Sequence, residues 1–148
     1  MKTATLAENW FMALTMLPFL VPAALAANQR EWCTFVCIVY SGIASAVYHA
    51  AESQKHQLTG VHEYLASAEM NMVLINADRI GAVLLACRMF GIYGIMPILL
   101  SHYLLIGVAL TAMALSETVY RHDKWRYIVL HSVWHFAAAA LLISLLSM

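Results

Sequence analysis

Charge is what this chain has least of. Only 11% of its 148 residues are charged, against 63% that are hydrophobic. Soluble domains carry about a quarter charged residues. A chain this small and apolar cannot hide its surface in a water-soluble globule, so an integral membrane protein is expected. The formal net charge is zero and there is no basic tract, which removes the electrostatic footing for nucleic acid as a partner. Cysteine is scarce as well: Cys33, Cys37 and Cys87. Cys33 and Cys37 share a helical face, but an i, i+4 pair on one helix is poorly placed for a disulfide. No CxxC-type spacing marks a metal site, so the three read as small apolar packing residues. Low-complexity tracts, a clear internal repeat and a separate soluble domain are also missing. Residues 1–148 therefore read as one transmembrane domain.

What is present is apolar length. Five stretches approach the roughly 20 residues that a spanning helix needs. They run from about Trp10 to Ala27, Trp32 to Ala51, Ala68 to Phe90, Ile92 to Ser116 and Trp125 to Met148. The expected fold is an all-α membrane bundle of about five transmembrane helices. Trp10, Trp32, Tyr64, Tyr93, Trp125 and Tyr127 fall near the ends, where amphipathic rings prefer the interface. Pro97, near the start of the fourth stretch, marks a kink site. The first stretch has two readings. Lys2, an apolar run and Ala24-Leu25-Ala26 before Ala27 also fit a cleaved signal peptide, and Pro18 and Pro22 suit either. With five spans, Lys2, Lys55, Arg121, Lys124 and Arg126 share the side of the N-terminus, and Arg30 and Arg88 the other. The positive-inside rule then places the N-terminus in the cytoplasm. Loss of the first stretch would leave four spans and the same loop sidedness.

Against this background a few ionisable residues stand out, because lipid is a poor solvent for them and each needs a partner or a task. His131-Ser132-Val133-Trp134-His135 opens the last stretch, Ser45-Ala46-Val47-Tyr48-His49 closes the second, and Asp78 interrupts the third. The second helix ends on the side where the third begins, and the fifth begins on that side too. All four ionisable residues thus share one leaflet in a regular up-down bundle, at depths that agree within a turn or two. His131 and His135, at i and i+4, lie on one helical face and can bind one ion together. Ser45 sits one turn from His49 on the same face and is placed to orient a water or a carboxylate. Asp78 is placed to serve as general base or to hydrogen-bond a metal-bound water. Three imidazoles and one carboxylate are the parts of an open zinc site. Other polar residues have plainer readings. Arg79 points about 100° away from Asp78 and can pair with a carboxylate elsewhere or snorkel. Asn71, Asn76 and His102 read as glue between helices. His56 and His62 fall in the loop over the site, and Arg121-His122-Asp123-Lys124 faces headgroups.

The order Ser-x-x-x-His, Asp, His-x-x-x-His resembles the CREST superfamily of multi-pass membrane hydrolases, which includes the alkaline ceramidases, the adipoQ and progestin receptors and the myomaker-like proteins. The myomaker-like branch is the nearest in flavour. Leu17-Pro18-Phe19-Leu20, Arg30-Glu31 and Tyr48-His49-Ala50-Ala51-Glu52 look like its opening, and Asp78-Arg79-Ile80-Gly81 like its Asp-x-x-Gly. Asp123-Lys124-Trp125 and Leu130-His131-Ser132-Val133-Trp134-His135 look like its closing segment. The matches cover roughly the first fifty residues, the Asp78 region and the last thirty. The resemblance implies Zn2+ on His49, His131 and His135, support from Asp78 and Ser45, and hydrolysis of an amide or ester in a membrane lipid. It also favours a retained first helix. One departure matters: the family usually has seven helices and this chain has room for five, the gap lying between Asp78 and His131. Removing two spans keeps the orientation of the last helix. A homo-oligomer is one way to complete a bundle shortened in this manner.

Three other functions compete. A non-enzymatic receptor-like or membrane-remodelling member would keep the metal site without turnover. A haem or electron-transfer bundle would need ligands on opposite sides of the haem, and an i, i+4 pair suits a small ion better. A proton-coupled transporter would depend on Asp78 rather than on the histidines.

Overall fold

The computed structural model describes residues 6–51, 68–119 and 123–148. His56 and His62, and the charge run at Arg121 and His122, lie outside them. The first apolar stretch is not one continuous helix. It is built as α1 (Leu6–Leu14), a 3₁₀ turn (Leu17–Phe19) and α2 (Leu20–Asn28). Pro18 lacks an N–H, and its ring would strike the carbonyl four residues back, so it breaks an α-helix that tries to include it. Here it occupies the first turn of the 3₁₀ segment, where no donor is required. α2 closes with Glu31 N–H donating to the Ala26 carbonyl at 2.9 Å and Arg30 N–H to the Ala27 carbonyl at 3.0 Å. Arg30 takes the left-handed conformation this closure demands, at φ 61°.

Among the described residues the further helices are α3 (Trp32–Ala51), α4 (Ala68–Tyr93), α5 (Ile95–Val119) and α6 (Lys124–Leu146). The boundary between α4 and α5 lies about three residues later than the apolar pattern suggests, because Gly94, at φ 78°, makes the turn. Pro97 falls in the first turn of α5, where it costs no internal hydrogen bond, and the kink comes instead at His102 (φ −127°, ψ 21°). Asp123 caps α6 by accepting from Arg126 N–H at 3.0 Å.

α3 and α4 form one antiparallel pair, α5 and α6 another, and α1 and α2 lie between α3 and α6. The helices thus form a row in the order α4, α3, α1 with α2, α6, α5, and its two end helices share little contact surface. Gly81 brings α4 close to α3: a Cβ there would stand 2.9 Å from Ser41 Cα. The result is an all-α membrane bundle. Among the described residues, four segments are long and apolar enough to cross a membrane: Trp10–Asn28, Trp32–Ala51, Ile95–Val119 and Trp125–Leu146. α4, with 26 residues, has the length but carries Glu69, Asp78, Arg79 and Arg88 along it. Outward faces are apolar, with Val36, Leu100, Tyr103 and Leu104 exposed, as a lipid-facing surface requires. Cys33 and Cys87 also point outward, and only Cys37 is drawn toward the core.

The core is split. One cluster, with Phe19, Ile38, Leu85, Met89, Ile98, Leu142 and Leu145, fills the half where α2 and α6 end. A small one, Met12, Tyr127 and Ile128, lies at the other end. The buried polar residues Ser45, His49, His131, Ser132 and His135 lie between these two clusters along α3 and α6.

Candidate metal centre

Two helices whose backbones stay apart meet through their histidines. On α3 the buried face runs Thr34, Ile38, Ser41, Ser45, His49, following the i, i+3/i+4 periodicity that puts them on one side. On α6 the corresponding face carries Tyr127, Ile128, His131, Ser132 and His135. His49, His135 and His131 are 0%, 3% and 9% exposed. Each offers one ring nitrogen, and these nitrogens all lie within 4.8 Å of one another. The ring centroids are 4.8 Å (His49–His131), 5.2 Å (His49–His135) and 4.7 Å (His131–His135) apart, every pair edge-on at 60–84°. Three imidazoles whose ring nitrogens come this close are the donor set of a metal centre. Zinc bonds to imidazole are about 2.0–2.1 Å, which puts tetrahedral donors about 3.3 Å apart, so small ring rotations close the group. The three residues fit a metal ion.

Two hydroxyls that sequence reasoning did not single out support the rings. Thr15 Oγ1 lies 2.6 Å from His135 Nδ1 and also 2.6 Å from the Met12 carbonyl. Thr15 occupies the break between α1 and the 3₁₀ turn, so the Pro18 interruption delivers it to the site. Ser116 Oγ lies 3.3 Å from His131 Nδ1 and 2.7 Å from the Met113 carbonyl. Nothing local in the sequence announces either contact, because each hydroxyl comes from a different segment of the chain. The rings of Tyr48 and Tyr127 lie tilted against those of His49 and His131, at centroid distances of 5.0 and 5.1 Å.

Ser45 is buried one turn before His49 on the same face of α3. Asp78 stands outside the group of three, and its level can be read from the helix pairing. Gly81 packs on Ser41 and Arg88 Nε donates to Thr34 Oγ1 at 3.1 Å, so seven residues of α4 match seven of α3 in the opposite sense. Asp78, three residues before Gly81 and on its face, therefore falls level with Ala44 and Ser45. It is half-buried, whereas Arg79 is exposed. His102 belongs elsewhere: its Nε2 bonds Ser144 Oγ at 2.9 Å. Ser144 is nine residues, roughly 13 Å of helix, beyond His135.

The chain is similar to an uncharacterized protein, L282, of Acanthamoeba polyphaga mimivirus, with 26% identity over 140 residues covering 86% of this chain and 89% of that protein. No protein-family model matches the chain, and no solved structure matches it.

Proposed function

We propose that this chain is a zinc-dependent hydrolase of a membrane lipid, cleaving an amide or ester bond within the bilayer as members of the CREST superfamily do. The convergence of His49 from α3 with His131 and His135 from α6, inside an apolar bundle, carries this reading. His49, His131 and His135 would hold a zinc ion, which when bound would supply Lewis-acid polarisation of a carbonyl and acidification of water. Asp78, level with Ser45, takes the role of proton acceptor and later donor. Ser45, beside His49, orients the water or the carboxylate. The apolar outer faces admit a substrate that never leaves the bilayer.

A second reading keeps the metal without turnover, as a receptor-like or membrane-remodelling protein. The slight contact between α4 and α5 at the ends of the row favours it, since a lipid pocket needs walls. Elemental analysis of detergent-purified protein tests the shared premise. About one zinc per chain, lost in His131→Ala and in His135→Ala, is expected. Folded protein that takes up no zinc would sink both readings. Ceramides and glycerophospholipids then separate them: the hydrolase turns one over and Asp78→Asn abolishes this while zinc stays bound.

A further inference from the structure

We propose that Thr15 and Ser116 are positioning residues of the metal centre, which fix the tautomers of His135 and His131 so that both bind the ion through Nε2. The inference rests on the zinc reading above. Each hydroxyl has one proton and two neighbours. Thr15 Oγ1 is 2.6 Å from the Met12 carbonyl oxygen. A carbonyl cannot donate, so unless the threonine proton lies between them, two oxygen lone pairs would face each other at that distance. The proton therefore goes to Met12, and Thr15 is left as an acceptor toward His135 Nδ1, also 2.6 Å away. His135 must then carry its proton on Nδ1, which leaves the Nε2 lone pair for a metal. The same reasoning applies at α5. Ser116 Oγ donates to the Met113 carbonyl at 2.7 Å and accepts from His131 Nδ1 at 3.3 Å.

Metal-binding histidines are generally held this way, the second nitrogen donating to an outer partner that sets tautomer and ring angle. The usual partner is a carboxylate, a carbonyl or a water. Here it is a hydroxyl tied to a helical carbonyl, which adds no charge to the buried site. The arrangement also makes two further segments part of the centre. The broken first span supplies Thr15 and α5 supplies Ser116, so four elements set a site whose ligands come from two.

The test uses full-length protein in detergent. Zinc affinity is read by competition with a chromophoric chelator, and the imidazole tautomers of the metal-free protein by nitrogen-15 NMR. Thr15→Val, which keeps the shape and removes the hydroxyl, is expected to weaken zinc binding about 10- to 100-fold. Thr15→Ser should restore wild-type affinity. Ser116→Ala should weaken binding less, since its contact is longer. The wild type and Thr15→Ser should show His135 protonated at Nδ1, and Thr15→Val should lose that preference. Wild-type zinc affinity in Thr15→Val, or an Nε2-protonated His135 in the wild type, overturns the assignment. A wild type with the Nδ1–H tautomer but no zinc uptake sinks the zinc reading instead, while upholding the orientation of the ring.

Discussion

The two halves of this bundle are built on opposite principles. Where α2 and α6 end, the interior is Phe19, Ile38, Leu85, Met89, Leu142 and Leu145, closed like the core of any helical protein. Where α3 ends and α6 begins, these two helices turn Ser45, His49, His131, Ser132 and His135 inward. Inside a membrane the first half gains little from the hydrophobic effect, since lipid is as apolar as leucine, and it holds by close packing. The second half holds polar groups that would be costly in lipid and must satisfy one another. Close apolar packing is thus concentrated in one half of the bundle and buried polar groups in the other, and the two should be separable by mutation.

The largest expected separation comes from Leu142→Ala. Leu142 is 5% exposed within the apolar cluster, and truncating a buried leucine costs about 2–5 kcal/mol. The unfolding midpoint in mixed detergent micelles should fall accordingly, while zinc per folded chain stays at the wild-type value. His135→Ala should reverse the pattern, removing the metal and costing less in the metal-free protein. Loss of zinc from folded Leu142→Ala would show the halves to be one unit.

Much of the site half was legible in the sequence, and the reasons are physical. An i, i+4 histidine pair is a local property of one helix, so His131 and His135 could be paired without knowing the fold. His49 joined them because an up-down bundle fixes which helix ends share a leaflet. The structure brings these three rings together. Thr15 was not legible: its partner His135 is 120 positions away and the contact depends on where a proline breaks a helix. Pro18 was visible, but the side chain its break would release, and toward what, depends on packing alone. The α4–α5 boundary slipped by about three residues because apolar sequence runs straight through the turn, and only Gly94 marks it. Pro97 drew the kink wrongly because a proline in a first helical turn has no hydrogen bond to lose.

The junction of the halves lies at Gly81, and a smaller effect sharpens the comparison there. A Cβ at Gly81 would meet the backbone of Ser41 at 2.9 Å, and backbone cannot step aside. Gly81→Val should force α4 away from α3, at about 1–3 kcal/mol for an overpacked contact, and carry Asp78 with it. Zinc binding by histidines of α3 and α6 should survive, and any Asp78-dependent lipid turnover should fall. Gly107→Ala is the control. Nothing lies within 4 Å of a Cβ there, so stability should hold or rise slightly with the better helix former. Equal behaviour of the two variants would mean that the approach of α4 to α3 does not matter to either half.

The smallest effect is expected where charge, not packing, closes the apolar half. Arg88 of α4 reaches across to the α2–α3 connection, with Nη2 2.9 Å from Glu31 Oε2 and Nε donating to Thr34. The pair looks structural, yet its side chains are 35% and 45% exposed. Water and headgroups screen such a pair, and exposed ion pairs contribute at most about 1 kcal/mol. Glu31→Gln retains an acceptor for Arg88 and should shift the unfolding midpoint by less than Gly81→Val, with zinc content unchanged. Thr34 is fully buried and also holds Arg88, so Thr34→Val in the same background should cost more than Glu31→Gln. A larger effect from Glu31→Gln than from Leu142→Ala would mean that this half is held by its electrostatic lid rather than by the packing beneath it.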